Sequence, residues 1–373
     1  AIPAALEGRD LIGTAQTGTG KTAAFILPIL NDLLTHPVRT HDGPRALIVT
    51  PTRELAEQIH EVAGKLGRFT PLRSTTVYGG VAMRPQVQAL SRGVDIAVAC
   101  PGRLLDHVER RTVKLAGVEI LVLDEADRML DMGFLPAVQR ILRATPARRQ
   151  TMLFSATFDP ALEKLIDKAL DQPRRFAVDE EAPATTVRHA MYPVKHHLKH
   201  DLLRRIIQDI RSGSVLIFTR TKHRAERLAG RIQRQGIRAA ALHADKSQQQ
   251  RKQALDRFKT GAINVLVATD IAARGLDIEN ISHVINFDVP DSATAYIHRI
   301  GRTGRACRTG SAFTLCTPED HDLVTGIEYI LDREFDRRIV QDFNYDVPAP
   351  EAFFAAGSRR GGFPSRRAPA PAR

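Results

Sequence analysis

The chain has 373 residues, with 43% apolar and 26% charged side chains and a formal net charge of +12; at about 150 residues per domain this is enough for two globular cores. No apolar run reaches the roughly 18 residues of a membrane span, and nothing at Ala1 resembles a signal peptide. Three cysteines with no C-x-x-C pair exclude a disulfide scaffold, speak against a zinc ribbon and make a reducing cytoplasm the expected setting. Because the first residue is Ala1 rather than methionine, a longer natural chain is expected.

In chain order, short apolar runs alternate with longer amphipathic stretches, the pattern of βαβ units and a parallel sheet. Strands are expected at Asp10–Thr14, Ala46–Thr50, Ser74–Tyr78, Ile96–Ala99, Ile120–Leu123 and Thr151–Phe154, with helices between them such as Arg53–Leu66 and Leu135–Leu142. A joint is expected over 173–186, where Pro173, the acidic run Asp179–Glu181 and Pro183 break the periodicity. Strands resume at Ser214–Thr219, Arg238–Leu242, Ile263–Ala268, His283–Phe287 and Ser311–Cys316, with helices at Leu198–Arg211, Lys222–Gln235 and Gln248–Phe258. The fold class is therefore α/β, two doubly wound parallel-sheet domains spanning 1–172 and 187–346. Residues 347–373, rich in Pro, Ala, Gly, Ser and Arg, read as a disordered basic tail.

Charge is unevenly spread. Residues 1–172 carry 21 basic and 19 acidic side chains, 186–351 carry 26 and 20, and 352–373 carry five arginines and no acid. The second half is where a polyanion would be gripped. Aromatic residues are only 5% and tryptophan is missing, so contact through phosphates and sugars is favoured over base stacking. The tail arginines Arg359, Arg360, Arg366, Arg367 and Arg373 could tether such a polyanion, or the tail could serve as a spacer or partner-docking segment.

Ala15-Gln16-Thr17-Gly18-Thr19-Gly20-Lys21-Thr22 follows an expected strand and opens a helix. Glycines let backbone N–H groups close on phosphate oxygens, Lys21 would reach the β- and γ-phosphates of a nucleotide, and the Thr22 hydroxyl would ligate Mg2+. The strict pattern wants glycine where Ala15 stands. Asp124-Glu125-Ala126-Asp127 follows the apolar run ending at Leu123, where open α/β sheets bind ligands. Asp124 would hold the magnesium and Glu125 would polarise the attacking water. His196, His197 and His200 lack a third ligand at sensible spacing and read as a solvated helix start rather than a zinc site.

These motifs and those that follow resemble the DEAD-box family of ATP-dependent RNA helicases, over roughly Ile2 to Phe343. The further motifs are Pro51-Thr52-Arg53-Glu54-Leu55-Ala56, Gly79-Gly80, Pro101-Gly102-Arg103, Ser155-Ala156-Thr157, Phe218-Thr219-Arg220-Thr221, Gln248-x-x-Arg251, Ala268-Thr269-Asp270, Ala273-Arg274-Gly275-Leu276-Asp277 and His298-Arg299-Ile300-Gly301-Arg302-Thr303-Gly304-Arg305. The wording of Arg128–Phe134 resembles the bacterial RhlE-type branch. The resemblance implies two RecA-like domains, Arg302 and Arg305 as arginine fingers, and Asp277 on the ribose. It implies Asp127, Ser155, Thr157 and His298 as the coupling between hydrolysis and RNA binding. It implies RNA-backbone contacts at Pro51, Thr52, Arg53, Gly80, Gly102, Arg103, Arg220, Arg251, Thr269 and Arg274. The expected activity is RNA-stimulated ATP hydrolysis coupled to local unwinding of short duplexes or ribonucleoprotein remodelling; an ATP-gated RNA clamp or assembly scaffold is the alternative. Proteins of ribonucleoprotein or RNA-degradation assemblies are the expected companions, with no membrane. Two departures stand out: Cys100 replaces the usual threonine before Pro101, and Ala244 replaces the usual glycine after His243. The family segment whose glutamine reads adenine would lie upstream of Ala1.

Overall fold

The computed structural model describes residues 1–14, 20–37, 43–177, 187–210, 213–273, 281–304 and 310–348. The first domain contains strands β1 (Leu11–Thr14), β2 (Ala46–Val49), β3 (Ser74–Val77), β4 (Ile96–Ala99), β5 (Ile120–Leu123), β6 (Gln150–Ser155) and β7 (Arg174–Ala177). Its helices are α1 (Ile2–Leu6), α2 (Lys21–Thr35), α3 (Arg53–Leu66), α4 (Met83–Ser91), α5 (Pro101–Glu109), α6 (Ala126–Asp131), α7 (Leu135–Ala144) and α8 (Pro160–Ala169). The second domain contains β8 (Val187–Pro193), β9 (Ser214–Phe218), β10 (Ala239–Leu242), β11 (Val265–Ala268), β12 (Ile281–Asn286), β13 (Gly310–Cys316) and β14 (Asp336–Arg337). Its helices are α9 (Lys199–Asp209), α10 (Lys222–Arg234), α11 (Gln248–Lys259), α12 (Asp270–Ala273), α13 (Ala293–Ile300) and α14 (His321–Leu331).

Each domain is built on a seven-stranded sheet whose neighbours all pair in parallel. The first runs β3-β4-β2-β5-β6-β1-β7 and the second β10-β11-β9-β12-β13-β8-β14. Counted from the start of each domain, these two orders are the same. The fold has been laid down twice.

Helices cover both faces of each sheet, which is why the central strands read as continuous apolar runs rather than alternating ones. Along β2, Leu47 packs with Leu104, Leu121, Ile141 and Leu165 on one face. Its neighbour Ile48 packs with Phe25, Ile29 and Ile59, from α2 and α3, on the other. In the second domain α9 and α10 hold the corresponding layer, with Leu202, Ile206, Leu228 and Ile232 against Val215, Ile217 and Val267.

Three strands fall outside the sequence expectation. β7 forms within the expected joint and pairs with β1 as an edge of the first sheet. Its residues Arg174, Arg175 and Ala177 are exposed, so no apolar run announces it. β8 was masked by Arg188, His189 and the terminal Pro193, although five of its seven residues are buried. β14 is two exposed residues. Residues 178–186 of the joint and 349–373 of the tail lie outside the described residues.

Candidate functional site

In a doubly wound sheet, ligands collect beyond the carboxyl ends of the strands, where strand order reverses. The residues singled out from sequence divide along that edge. Lys21 and Thr22 follow β1, Asp124 and Glu125 follow β5, and Ser155 ends β6; these three strands are neighbours in the order β5-β6-β1. Pro51, Thr52 and Arg53 follow β2, Gly80 follows β3, and Gly102 and Arg103 follow β4, the other three neighbours. In the second domain Arg220 follows β9 and Thr269 follows β11, the matching places.

Gly20 caps α2 at φ +84°, left-handed backbone that suits glycine and turns the chain into the helix. Lys21 is the first residue of α2, and its charge bears on the carboxylate of Asp124. Asp124 is 2% exposed. Burial pushes its carboxyl up to about 6 against the pull of Lys21, with Glu125 and Asp127 pushing the same way as burial. Glu125 stands in left-handed backbone (φ 52°, ψ 52°), rare for a residue with a side chain and a feature that collects at functional sites. Its Oε2 is buried, accepts no hydrogen bond among the described residues, and lies 3.5 Å from Nη1 of the equally buried Arg128. Ala15, Gln16, Thr17, Gly18 and Thr19, the body of the cradle, lie outside the described residues.

Asp127 ties this region to β6. Its Oδ2 accepts from the backbone N–H of Ala156 (3.2 Å), the N–H of Thr157 (3.1 Å) and the Thr157 hydroxyl (3.1 Å). Its own N–H donates to Ser155 Oγ at 3.3 Å, and that hydroxyl donates to the Thr157 carbonyl at 2.7 Å. A shift at the β6 loop is therefore felt at the acidic segment.

Around the other three strands, Thr52 caps α3 by accepting from the Leu55 N–H. The Arg53 guanidinium lies over Gly80, whose φ is +78°; a Cβ there would collide with it. Arg103 Nη1 donates to the Val81 carbonyl at 3.1 Å, joining the β3 and β4 loops. Cys100 occupies the N-cap of α5 without capping it, its thiol pushed up to about 12 by burial and then by Glu54.

From the second domain, Arg302 is 4% exposed and shares a small cavity with His298, Arg299, Asp270 and, from the first domain, Arg128. Arg251 is set against the first domain as well: its Nε donates to Glu54 Oε1 at 2.8 Å, both side chains buried, and Gln248 reaches the same oxygen at 3.4 Å. The motif arginine expected on RNA thus joins the two domains here. Sequence reasoning left Arg299 without a role. It grips Asp270 through two hydrogen bonds of 2.6 and 2.7 Å and donates to Asn286 and the Asp288 carbonyl, so it fixes α12 and α13 together. The only signal was its place beside His298. Arg274, Asp277 and Arg305 lie outside the described residues.

His197 Nε2 lies 2.8 Å from the Val347 carbonyl and the His200 ring packs on Phe287. Among the described residues no group of three metal-ligating side chains occurs and no helix is long and apolar enough to cross a membrane.

Residues 1–165 match the family model described as DEAD/DEAH box helicase, and residues 198–307 match the helicase conserved C-terminal domain. The chain is 42% identical over 340 residues to the DEAD-box ATP-dependent RNA helicase CshA of Bacillus subtilis, covering 90% of this chain and 67% of that one. It is 42% identical over 338 residues to CshA of Bacillus cereus, where it spans 63% of the relative's length. Among solved structures it is similar to Saccharomyces cerevisiae Dbp5 bound to RNA and ADP BeF3, at 32% identity and a TM-score of 0.75, covering 88% of this chain and 85% of that one.

Proposed function

This chain belongs to the DEAD-box family of helicases, and on that premise we propose that it is an ATP-dependent RNA helicase. It couples RNA-stimulated ATP hydrolysis to local separation of short RNA duplexes. The observation that carries this reading is the placement of Lys21 and the buried Asp124 at the carboxyl ends of β1 and β5, on either side of β6, with Asp127 hydrogen-bonded to Ser155 and Thr157 at the end of β6.

Lys21, at the positive end of α2, would hold the terminal phosphates of ATP. Asp124 and Thr22 are hard oxygen donors, and a buried carboxylate held near 6 is a ready partner for a cation, so Mg2+ fits this pair. Bound there, the ion would neutralise charge on the phosphate oxygens. Glu125 would take the proton of the attacking water, with Arg128 Nη1 3.5 Å from its Oε2 holding the carboxylate in place. Arg302 and Arg305 would complete the site from the second domain, and Asp277 would touch the ribose. Pro51, Thr52, Arg53, Gly80, Gly102, Arg103, Arg220, Thr269 and Arg274 would hold the RNA backbone, with 2′-hydroxyl contacts selecting RNA over DNA. Arg251 would serve the same closure through Glu54. His298 would pass domain closure to Arg302, one helical turn away.

The branch reading as RhlE-type rests on Arg128–Phe134 alone, since the relatives above carry the name CshA. A cytoplasmic setting and partnership with ribonucleoprotein or RNA-degradation proteins belong to the same proposal. The test is strand displacement on a short RNA duplex: ATP-dependent separation by the parent and none by Glu125→Gln is expected. Tight ATP-dependent RNA binding without displacement would instead make the protein a clamp.

A further inference from the structure

Because the fold is repeated, each helix has a counterpart that shows what the architecture alone requires. α3 and α10 follow matching strands, β2 and β9, and both are capped by a threonine, Thr52 and Thr221. α3 carries two basic and three acidic side chains; α10 carries five basic and only Glu226 as an acid. Their neighbours α2 and α9 repeat the trend, with one basic and one acidic side chain in α2 against three and two in α9.

The basic residues of α10 are ordered. Arg220, just before the helix, is followed by Arg224, Arg227, Arg231 and Arg234 at spacings of four, three, four and three residues. Such spacing puts them on one flank of a helix. Ala225, Leu228, Ala229 and Ile232 face the core instead. Arg224 is spent on Asp288 and Arg231 reaches Asp201 of α9 at 3.5 Å. Arg227 and, on α9, Arg204 are exposed and pair with nothing among the described residues; Arg234 is exposed and bonds only the Gly230 carbonyl. Like charges three and four residues apart disfavour a helix. The first domain shows that solubility does not demand them.

We propose that this flank of α9 and α10 is an RNA-docking surface outside the cleft, which takes the phosphate backbone of a strand continuing past Arg220. This rests on the helicase reading above, in which Arg220 touches RNA. Continuity with Arg220 selects RNA over an acidic polypeptide. The stripe from Arg224 to Arg234 runs about 15 Å along the helix, long enough for several phosphates.

The test uses the full chain and two oligouridine probes, one short enough for the cleft alone and one extended at both ends. The triple variant Arg204→Ala/Arg227→Ala/Arg234→Ala is compared with its Lys counterpart. For the extended probe the Ala variant should lose about tenfold in affinity, and the steepness of its log–log salt dependence should fall by about two. The short probe should bind all three proteins alike, and the Lys variant should behave as the parent, which separates charge from folding. If the parent fails to bind the short probe, the helicase reading itself falls. If the parent binds both probes and the Ala variant matches it on both, the docking surface is refuted. Polyglutamate competing as well as the extended RNA, with the same loss in the Ala variant, would reassign the surface to an acidic protein partner and overturn the proposal.

Discussion

In the first domain α2 opens with Lys21 beside the buried carboxylate of Asp124; in the second, α9 opens with Lys199, whose ammonium lies 5.5 Å from the centre of the Phe287 ring. The two positions correspond. The N–H of Asp124 bonds the carbonyl of Val49, the last residue of β2, and the N–H of Phe287 bonds that of Phe218, the last residue of β9. A phenyl ring has replaced the carboxylate that would hold magnesium. Lys199 is buried, burial lowers its basicity, and Asp320 lies 3.7 Å away to receive its charge. One architecture therefore sets a lysine and a buried carboxylate along this edge once. The second time a phenyl ring stands at the carboxylate's position and the lysine turns to the Asp320 carboxylate.

That contrast can be broken most severely at Glu125 and Lys21. Glu125→Gln or Lys21→Ala should lower RNA-stimulated turnover by about 10²–10⁴ while leaving the fold intact. Lys199→Ala should do the reverse, keeping turnover while lowering unfolding free energy by about 2 kcal/mol, because Asp320 loses a buried partner. Steady-state ATPase and urea unfolding of the three variants measure both arms. Lys199→Ala behaving like Lys21→Ala would erase the distinction between the two edges.

The next largest effect concerns the contact that joins the domains. Arg251→Ala leaves Glu54 buried without its cation, a loss of about 3 kcal/mol for the joined arrangement. The RNA concentration for half-maximal ATPase should rise accordingly, and Glu54→Gln added to Arg251→Gln should recover part of it. A double-mutant cycle with no coupling would dissociate the pair from closure. Smaller still, Gly80→Ala forces a Cβ into the Arg53 guanidinium and should weaken RNA binding by about tenfold, read by fluorescence anisotropy.

The smallest effect is confined to the second domain. Burial pushes His200 down to about 4, so the folded state resists protonation that the unfolded chain accepts near 6.5. Its contribution to stability is complete above 6.5 and is lost as pH falls from 6.5 towards 4, by about 1–2 kcal/mol allowing for partial exposure. Arg231 and Arg224 oppose its protonation, while Asp201 favours it. Unfolding of His200→Asn across that window should be flatter than the parent's; parallel curves would clear His200 of the effect.

How much of this was legible in the chain depends on distance. The central strands were readable because a parallel sheet buried on both faces leaves apolar runs such as Ile120–Leu123. The placement of Lys21 and Asp124 at strand ends was readable because both lie in local motifs that follow apolar runs. β7 was not, since Arg174 and Arg175 are exposed on an edge. The Glu54–Arg251 pair was not, since it joins residues 197 apart and becomes visible only when two sheets meet. Phe287 as the counterpart of Asp124 has no sequence signature, because only the ladder register aligns the two positions.

In the proposed mechanism Arg302 of the second domain completes the nucleotide site of the first. Steady-state ATPase with and without RNA, in the parent and in Arg302→Ala, addresses this directly. RNA should accelerate the parent and leave the variant near its unstimulated rate, a gap of about 10³ or more. Equal stimulation of both proteins would contradict it.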